Sequence, residues 1–417
     1  MHRNAKYIAL LAIALIAIPS RSTGTIPPSA RSMGMAGSYT VMAKDVEAAF
    51  WNPANLGLST RPGFSLCLFS VSASISNNSF SLGDYNTYVG DFWDDQEKLK
   101  ILNSIPAEGL KLDIDAGVNC LGFSAGNFAL TVVGDGWANL KIAKSPFEFL
   151  LFGNELNDTV SVSDSKGEAW AITSVNLSYG QAVYRTRDKE LSFGLSFKYL
   201  IGWLYYRVIE SQGDIYVQEQ GINGLGNFVV QSAEGGRGFS IDLGSTYRFK
   251  NNWLLGLSVT NLFSQMKWNK NTEERGYHFE MDTLNAEGFD NDSAAVTSDY
   301  TKQIGSFNTR LPMVIRTGLG KAGKKLSWSL DGKEFIYKKE INSTYFELSL
   351  GAEYKLFKWL PLRSGVNLTK GKQLNLAGGM GFRFGPYYLD TGLTNHSGFL
   401  PGQSKGVGLA ISSGFCF

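Results

Sequence analysis

Apolar side chains recur at every second position over long stretches of this chain, with small or polar residues between them. Leu191, Phe193, Leu195, Phe197, Tyr199, Ile201 and Trp203 alternate with Ser192, Gly194, Ser196, Lys198, Leu200 and Gly202. Phe239, Ile241, Leu243, Tyr247 and Phe249 alternate with Ser240, Asp242, Gly244, Thr246 and Arg248, and Phe346 to Leu356 repeats the scheme. The last stretch puts Val407, Leu409, Ile411, Phe415 and Phe417 on one side, with Gly408, Ala410, Ser412, Gly414 and Cys416 on the other. A period of two belongs to a β-strand, whose successive side chains point to opposite faces.

The pattern predicts strands over residues 64–76, 109–124, 127–144, 168–185, 189–206, 237–249, 252–264, 308–320, 324–337, 344–356, 361–370, 373–384, 387–395 and 405–417. Short turns are expected at Gly126, Thr186 to Asp188, Lys250 to Asn251, Lys321 to Gly323, Phe357 to Leu360 and Gly385 to Pro386. Long connections at 77–108, 145–167, 207–236 and 265–307 then all fall at the opposite end. That asymmetry is the one of an outer-membrane barrel, with short periplasmic turns and longer extracellular loops.

Soluble sandwiches also alternate, so other features decide. Arg3 and Lys6, the apolar run Tyr7 to Ile18, and Pro19-Ser20-Arg21-Ser22 read as a secretory signal over residues 1–22. The chain closes on Phe417, and Trp203, Tyr205, Tyr206, Trp253, Tyr354, Trp359, Tyr387 and Tyr388 are placed to form interfacial girdles. In lipid an open sheet edge leaves backbone groups unpaired at several kcal/mol each, so spanning strands must close. The expected fold class is all-β: a transmembrane antiparallel β-barrel of about 14 strands over residues 63–417, in the bacterial outer membrane, with a few short loop helices.

Composition fits this reading: 43% hydrophobic residues, only 18% charged and 47 Gly favour many strands and tight turns over helical bundles. A net charge of +2 with scattered Lys and Arg gives no reason to expect nucleic acid. Cys67, Cys120 and Cys416 are odd in number and lack metal-ligand spacing. They read as unpaired strand residues, with a Cys67 to Cys120 bridge as the alternative in an oxidising periplasm.

Residues 23–62 do not alternate, so they are expected beneath or inside the barrel as a hatch. Ala30-Arg31-Ser32-Met33-Gly34-Met35-Ala36-Gly37 suits close backbone packing, and Asp45 to Phe50 reads as a short helix. In Trp51-Asn52-Pro53-Ala54-Asn55-Leu56-Gly57, Pro53 bars helix at Asn52 and starts another turn, which Asn52 is suited to cap. Taken alone, this is equally a plain helix-turn connector.

The run Ala30 to Tyr39, then Ala43-Lys44-Asp45 and Phe50 to Leu56, resembles the N-terminal hatch of the long-chain fatty-acid transporter superfamily. That superfamily includes aromatic-hydrocarbon uptake channels and the PorV-type barrels of type IX secretion. The resemblance implies a fourteen-stranded barrel plugged by a hatch whose motif is Gly34, Gly37, Asp45, Asn52, Pro53 and Ala54. It is sharp over the hatch and architectural elsewhere. Asn55 and Leu56 depart from the commoner Gly and Leu after Asn-Pro-Ala, so ligand contacts do not transfer by position.

Two apolar loop segments stand out. In 77–108, Asp91, Asp94 and Asp95 precede Lys98 and Lys100, the charge order of a helix, with Phe92, Trp93, Leu99, Ile101 and Leu102 among them. In 145–153, Phe147, Phe149, Leu150, Leu151 and Phe152 form a cluster that water does not favour exposing. Either these segments pack together as a lid, or, as the resemblance implies, Phe92, Trp93, Phe147, Phe149, Leu150 and Phe152 line a groove that captures a hydrophobic ligand.

Strand parity turns Lys198, Asp242, Arg248, Arg316, Asp331, Glu347, Glu353, Arg383 and Asp390 into the lumen, where mixed signs suggest paired charges around a plug. An enzyme is not expected. His2 lies in the signal, and His278 and His396 are assigned to extracellular loops without a nucleophile motif. Asp113 and Asp115 share a strand face and read equally as a carboxylate pair or as solvated lumen groups, Gly224-Leu225-Gly226 as loop punctuation, and Asn291-Asp292-Ser293 as solvated loop or a divalent-ion site. No catalytic residue, metal or cofactor is called for.

The expected function is passive uptake of a fatty-acid or hydrocarbon-like molecule past the hatch. The rival is a PorV-type shuttle or assembly component that holds secretion-system proteins through loops 207–236 and 265–307. Expected partners are outer-membrane lipid, the hydrophobic ligand and, through Phe417, the barrel-assembly machinery.

Overall fold

A computed structural model describes residues 29–417 other than 91, 154–158, 220, 285–294, 337–344, 370–372 and 399. The signal segment, Asp91 and Asn291-Asp292-Ser293 lie outside the described residues.

Fourteen antiparallel strands form the wall: β1 Phe64–Asn77, β2 Leu110–Ala125, β3 Phe128–Ile142, β4 Lys166–Arg185, β5 Glu190–Gln218, β6 Gly236–Phe249, β7 Trp253–Trp268, β8 Met313–Lys321, β9 Leu326–Ile336, β10 Tyr345–Phe357, β11 Leu360–Thr369, β12 Gln373–Phe384, β13 Tyr387–His396 and β14 Gly406–Cys416. β1 pairs with both β2 and β14, which closes the cylinder. Gly63 N donates to Phe417 O at 3.1 Å and Phe417 N to Phe64 O at 2.9 Å, so the seam is bonded to its last residue. All six short turns fall where the alternation breaks.

The wall is built inside out relative to a soluble protein. Phe193, Leu195, Phe197 and Tyr199 are 40–50% exposed, while Ser192 and Ser196 behind them are 0% exposed. Such a surface is stable only where hydrocarbon is the solvent, and closed barrels of this kind stand in the bacterial outer membrane. At the short-turn end aromatic rings run round the barrel, Phe249 against Trp253 at 6.2 Å, Trp253 against Trp328 at 5.4 Å and Phe357 against Trp359 at 5.6 Å.

Several expectations need correction. Tyr205 and Tyr388 are not girdle residues but face the lumen, 1% and 3% exposed. A bulge in β5 opposite Ala171–Ile172 leaves Trp203 and Leu204 both outside and shifts the parity of Tyr205. Tyr388 follows the outward Tyr387, so parity alone turns it in. Most of 207–236 and 265–307 is strand rather than loop. The upper half of the 29-residue β5 pairs with Thr159–Ser161 and Gly221–Ala233. Outside these lie Glu273–Leu284 and then Ala295–Gln303, forming a ribbon above the barrel. Water bathes the ribbon, so it needs no continuous apolar face, and its charged alternation reads as loop. His396 ends β13 rather than sitting in a loop, and its ring meets Ser74 Oγ at 3.0 Å.

The three cysteines are unpaired: Cys67 is buried and Cys120 exposed, on opposite faces of the wall. Between β7 and β8 the backbone ladder stops at Thr260–Val314 and resumes at Met266–Thr309. Side chains bridge the interval, Asn261 Nδ2 donating to Pro312 O at 2.9 Å and Leu311 N to Ser264 Oγ at 2.9 Å.

Candidate functional site: hatch, lumen and rim bay

Residues 29–62 fill the periplasmic half of the lumen. Helix α1, Ala30–Gly34, is capped by Ser29, whose side chain accepts from Ser32 N. A 3₁₀ turn, Asp45–Glu47, leads into α2, Ala48–Trp51, and Asn52 then caps the 3₁₀ turn Pro53–Gly57 by accepting from Ala54 N.

Small wall residues let this backbone approach. A Cβ added at Gly194 would lie 2.2 Å from Pro53 and Ala54, at Gly351 2.5 Å and at Gly365 2.4 Å from Met35 backbone, and at Gly392 2.4 Å from Ala30 O. Gly34 itself meets the wall at Gly379, where a Cβ would lie 3.1 Å from its Cα. Wall strands on opposite sides of the barrel thus carry glycine where the hatch touches them, which explains part of the glycine excess. Gly37 has φ +79°, a conformation that only glycine adopts without strain.

Polar bonds then fix the hatch. Asn52 Nδ2 donates to Ser245 O at 3.1 Å and Thr246 Oγ1 at 3.0 Å, and Tyr39 N and Thr40 N both donate to Asp331 at 3.0 and 2.7 Å. Arg31 bonds Asp45 at 2.7 Å and Asp390 at 2.9 Å, with its guanidinium 4.4 Å from the centre of the Tyr388 ring. Asp390 also receives Arg363 at 2.8 Å and Arg383 at 2.9 Å. Burial works against the Arg31 charge, but Asp45, Glu47 and Asp390 outweigh it and hold the guanidinium protonated well above its ordinary range. Burial lowers the Lys44 ammonium instead, with Lys355 adding repulsion. The predicted hatch residues Gly34, Gly37, Asp45, Asn52, Pro53 and Ala54 therefore all lie within the lumen, Ala54 at 0% exposure.

Above the hatch, a cavity of about 30 Å³ is lined by Phe50, Asp135, Asn176, Lys198, Asn261 and Leu311. That is room for about one water molecule. Higher still, Trp137, Trp170, Leu200, Tyr205, Met266 and Trp268 pack into an apolar layer across the lumen. The alternation missed this layer, yet its signal is present: Leu200 is a large apolar residue on the lumen parity of β5, where Ser192, Gly194, Ser196 and Lys198 are polar or small.

At the extracellular rim, α3 Leu82–Tyr88, α4 Asp95–Ser104 and α5 Ser145–Phe152 meet. Capping boxes start α3 at Ser81 and Asp84, and α4 at Asp94 and Glu97. Phe80, Ile101, Ile105 and Leu110 are buried between them, with Tyr88, Trp93, Phe147 and Leu151 packed around. The two apolar segments thus do form a lid, but not a perfectly filled one. An apolar bay of about 140 Å³ remains, lined by Ile75, Phe80, Tyr88, Trp93, Ile101 and Val407 among others. Ile75 and Val407 are cross-strand partners of β1 and β14 that point away from the lumen, so the bay borders the lipid side of the rim.

Of the expected capture residues, Trp93 lines the bay, its Nε1 donating to Tyr88 O at 2.8 Å, and Phe147 backs it. Phe149 and Phe152 are half-buried on α5, and the Phe152 ring lies 5.9 Å from Lys98 Nζ. Phe92 and Leu150 point outward, 97% and 59% exposed, and line nothing.

Residues 53–234 and 218–391 match a family of unknown function, DUF5723. No curated protein matches the sequence. Among solved structures, the toluene transporter TbuX of Ralstonia pickettii superposes with a TM-score of 0.51 at 15% identity, over 94% of this chain and 98% of that one. The toluene transporter TodX of Pseudomonas putida gives 0.53 at 12%, over 94% and 99%, and a FadL homologue of Pseudomonas aeruginosa 0.53 at 12%, over 95% and 100%. At these identities the likeness is one of fold.

Proposed function

Because the chain belongs to DUF5723 and folds as an outer-membrane barrel with a filled lumen, we propose that it admits hydrophobic small molecules across that membrane. The rim bay carries the reading. Its lining is mostly apolar, with Ser81, Asp84 and Ser404 among it, and an apolar cavity of roughly 150 Å³ is enough to bind benzene. Drug-sized ligands need about 300 Å³ or more, so the bay suits a single-ring hydrocarbon or one segment of an alkyl chain. Toluene, which TbuX and TodX are described as transporting, is of that size. A molecule dissolved in the outer leaflet reaches the bay along Ile75 and Val407, and continues only when the aromatic layer and the hatch around Asn52 to Ala54 yield.

The test is saturable binding of toluene and of a fatty acid to the purified barrel, read from quenching of aromatic fluorescence, together with uptake by whole cells. Trp93→Ala is expected to weaken binding of the preferred ligand about tenfold, a loss of about 1.4 kcal/mol, and to slow uptake in step. Absence of saturable binding for both ligands, or unchanged uptake by this variant, sinks the reading. The shuttle reading draws on one observation, the ribbon edge Ala295–Gln303, which pairs on one side only among the described residues. It gains ground if cross-linking through this edge recovers secretion components.

A further inference from the structure

We infer a binding site for a phosphorylated lipid headgroup on the outside of the barrel, formed by Arg237, Lys267 and Arg310 at its extracellular rim. The site is separate from the lumen and the bay, and does not depend on what the barrel transports.

Arg237 of β6 and Lys267 of β7 are directly opposite in the ladder. Lys267 lies between Met266 and Trp268, each 1% exposed toward the lumen, so its own side chain points outward. Arg237 is exposed between Gly236 and Gly238, in register with the outward Ile201. On the next strand segment, Phe307–Thr309, Asn308 pairs with Lys267, and Arg310 follows the inward Thr309, so it too faces out and is exposed. Three cations on adjoining strands thus share one outer surface.

Like charges directly opposite each other destabilise a sheet unless something neutralises them. Among the described residues no ion pair is formed by Arg237, Lys267 or Arg310. Two acids close to them in sequence are engaged elsewhere: Glu234 accepts from Asn271 at 2.9 Å, and Glu273 holds Arg275 at 2.9 Å and Gln303 at 2.8 Å. No described acid of the chain neutralises the three cations, which leaves them open to an anion from outside it.

Depth in the membrane says which anion. Immediately below the cations, Phe239 and Phe263 project outward at 40% and 62% exposure, the large rings expected where hydrocarbon gives way to headgroups. Groups one step above that belt lie at the level of lipid phosphates. Guanidinium and ammonium groups there gain charge-assisted hydrogen bonds to phosphate oxygens, while their stems stay on apolar surface. An outer-leaflet lipid bearing phosphate fits both the charge and the height.

The experiment is native mass spectrometry of the full barrel in detergent, titrated separately with lipid A, with lipid A stripped of phosphate, and with inorganic phosphate. Lipid A is expected to bind, the stripped lipid at least tenfold more weakly, and inorganic phosphate neither to bind comparably nor to displace it. Each charge near a membrane surface contributes about 1 kcal/mol, so Arg237→Ala and Lys267→Ala should each lose about fivefold, and Lys267→Glu more. Retained heat-resistant gel migration confirms that these outward substitutions leave the barrel intact. Wild-type lipid A binding by the Arg237→Ala/Lys267→Ala double variant overturns the site. Equal binding of the stripped lipid removes the role of phosphate, and equal competition by inorganic phosphate makes it a site for a soluble anion instead.

Discussion

The hatch and the rim bay occupy opposite ends of one barrel, and the hatch is tied to the wall by polar bonds that the bay lining lacks across its opening. The hatch packs an apolar cluster that includes Met35, Val41, Phe50, Trp51 and Leu56 and adds directional ties to the wall: Asn52 is bonded to β6, Arg31 to β13, and wall glycines admit its backbone within van der Waals reach. The bay has hydrogen bonds only within its own rim segments, such as Trp93 to Tyr88 and Ser81 to Asp84, and is left partly unfilled by rings and aliphatic chains. A seal in a low-dielectric lumen is held by hydrogen bonds that are costly to leave unmade. A capture surface for apolar molecules relies on contact area instead, at about 25 cal/mol per Å². Damage to the first should therefore register as stability and leakage, and damage to the second as ligand affinity.

The largest effect is expected from Asp390→Ala. Asp390 is 0% exposed and shared by Arg31, Arg363 and Arg383, and removing one partner of a buried ion pair costs about 3–5 kcal/mol. Urea titration followed by heat-modifiable gel mobility should show a lower midpoint, and an unchanged midpoint would break the contrast with the bay. Asn52→Ala comes next. It leaves Ser245 O, Thr246 Oγ1 and Ala54 N short of a partner, at about 1–3 kcal/mol for each group that stays unsatisfied. Faster amide exchange at Ala54 and a higher ion leak in planar bilayers should accompany unaltered ligand binding.

Gly37→Ala forces an alanine to φ +79° and should cost about 1 kcal/mol, visible as a small midpoint shift without loss of binding. At the bottom of the series, Phe92→Ala should change neither stability by more than about 0.5 kcal/mol nor ligand affinity, because its ring touches nothing. A clear loss of affinity in that variant would mean that the bay extends beyond its described lining.

The wall was readable residue by residue because a strand's period is local: Leu195 and Ser196 declare their faces without knowledge of any neighbour. The hatch was readable for a related reason, since proline geometry and Asn capping act within a few positions of Asn52. The ribbon escaped notice because water on both faces erases the apolar stripe that marks a membrane strand. Tyr205 was misplaced because one bulged residue reverses parity, and nothing near it in the sequence announces the bulge.

Alternation, turn spacing and the Asn-Pro-Ala segment thus set the strand count, the direction most wall side chains face and the presence of a plug, all short-range consequences of backbone geometry. Only the closed tertiary structure decided that Gly194, Gly351, Gly365 and Gly392 would meet one plug, that Trp93 would share a bay with Ile75 and Val407, and that Arg237, Lys267 and Arg310 would gather on one patch. Those meetings depend on register and closure between strands far apart in the chain, which no local pattern records.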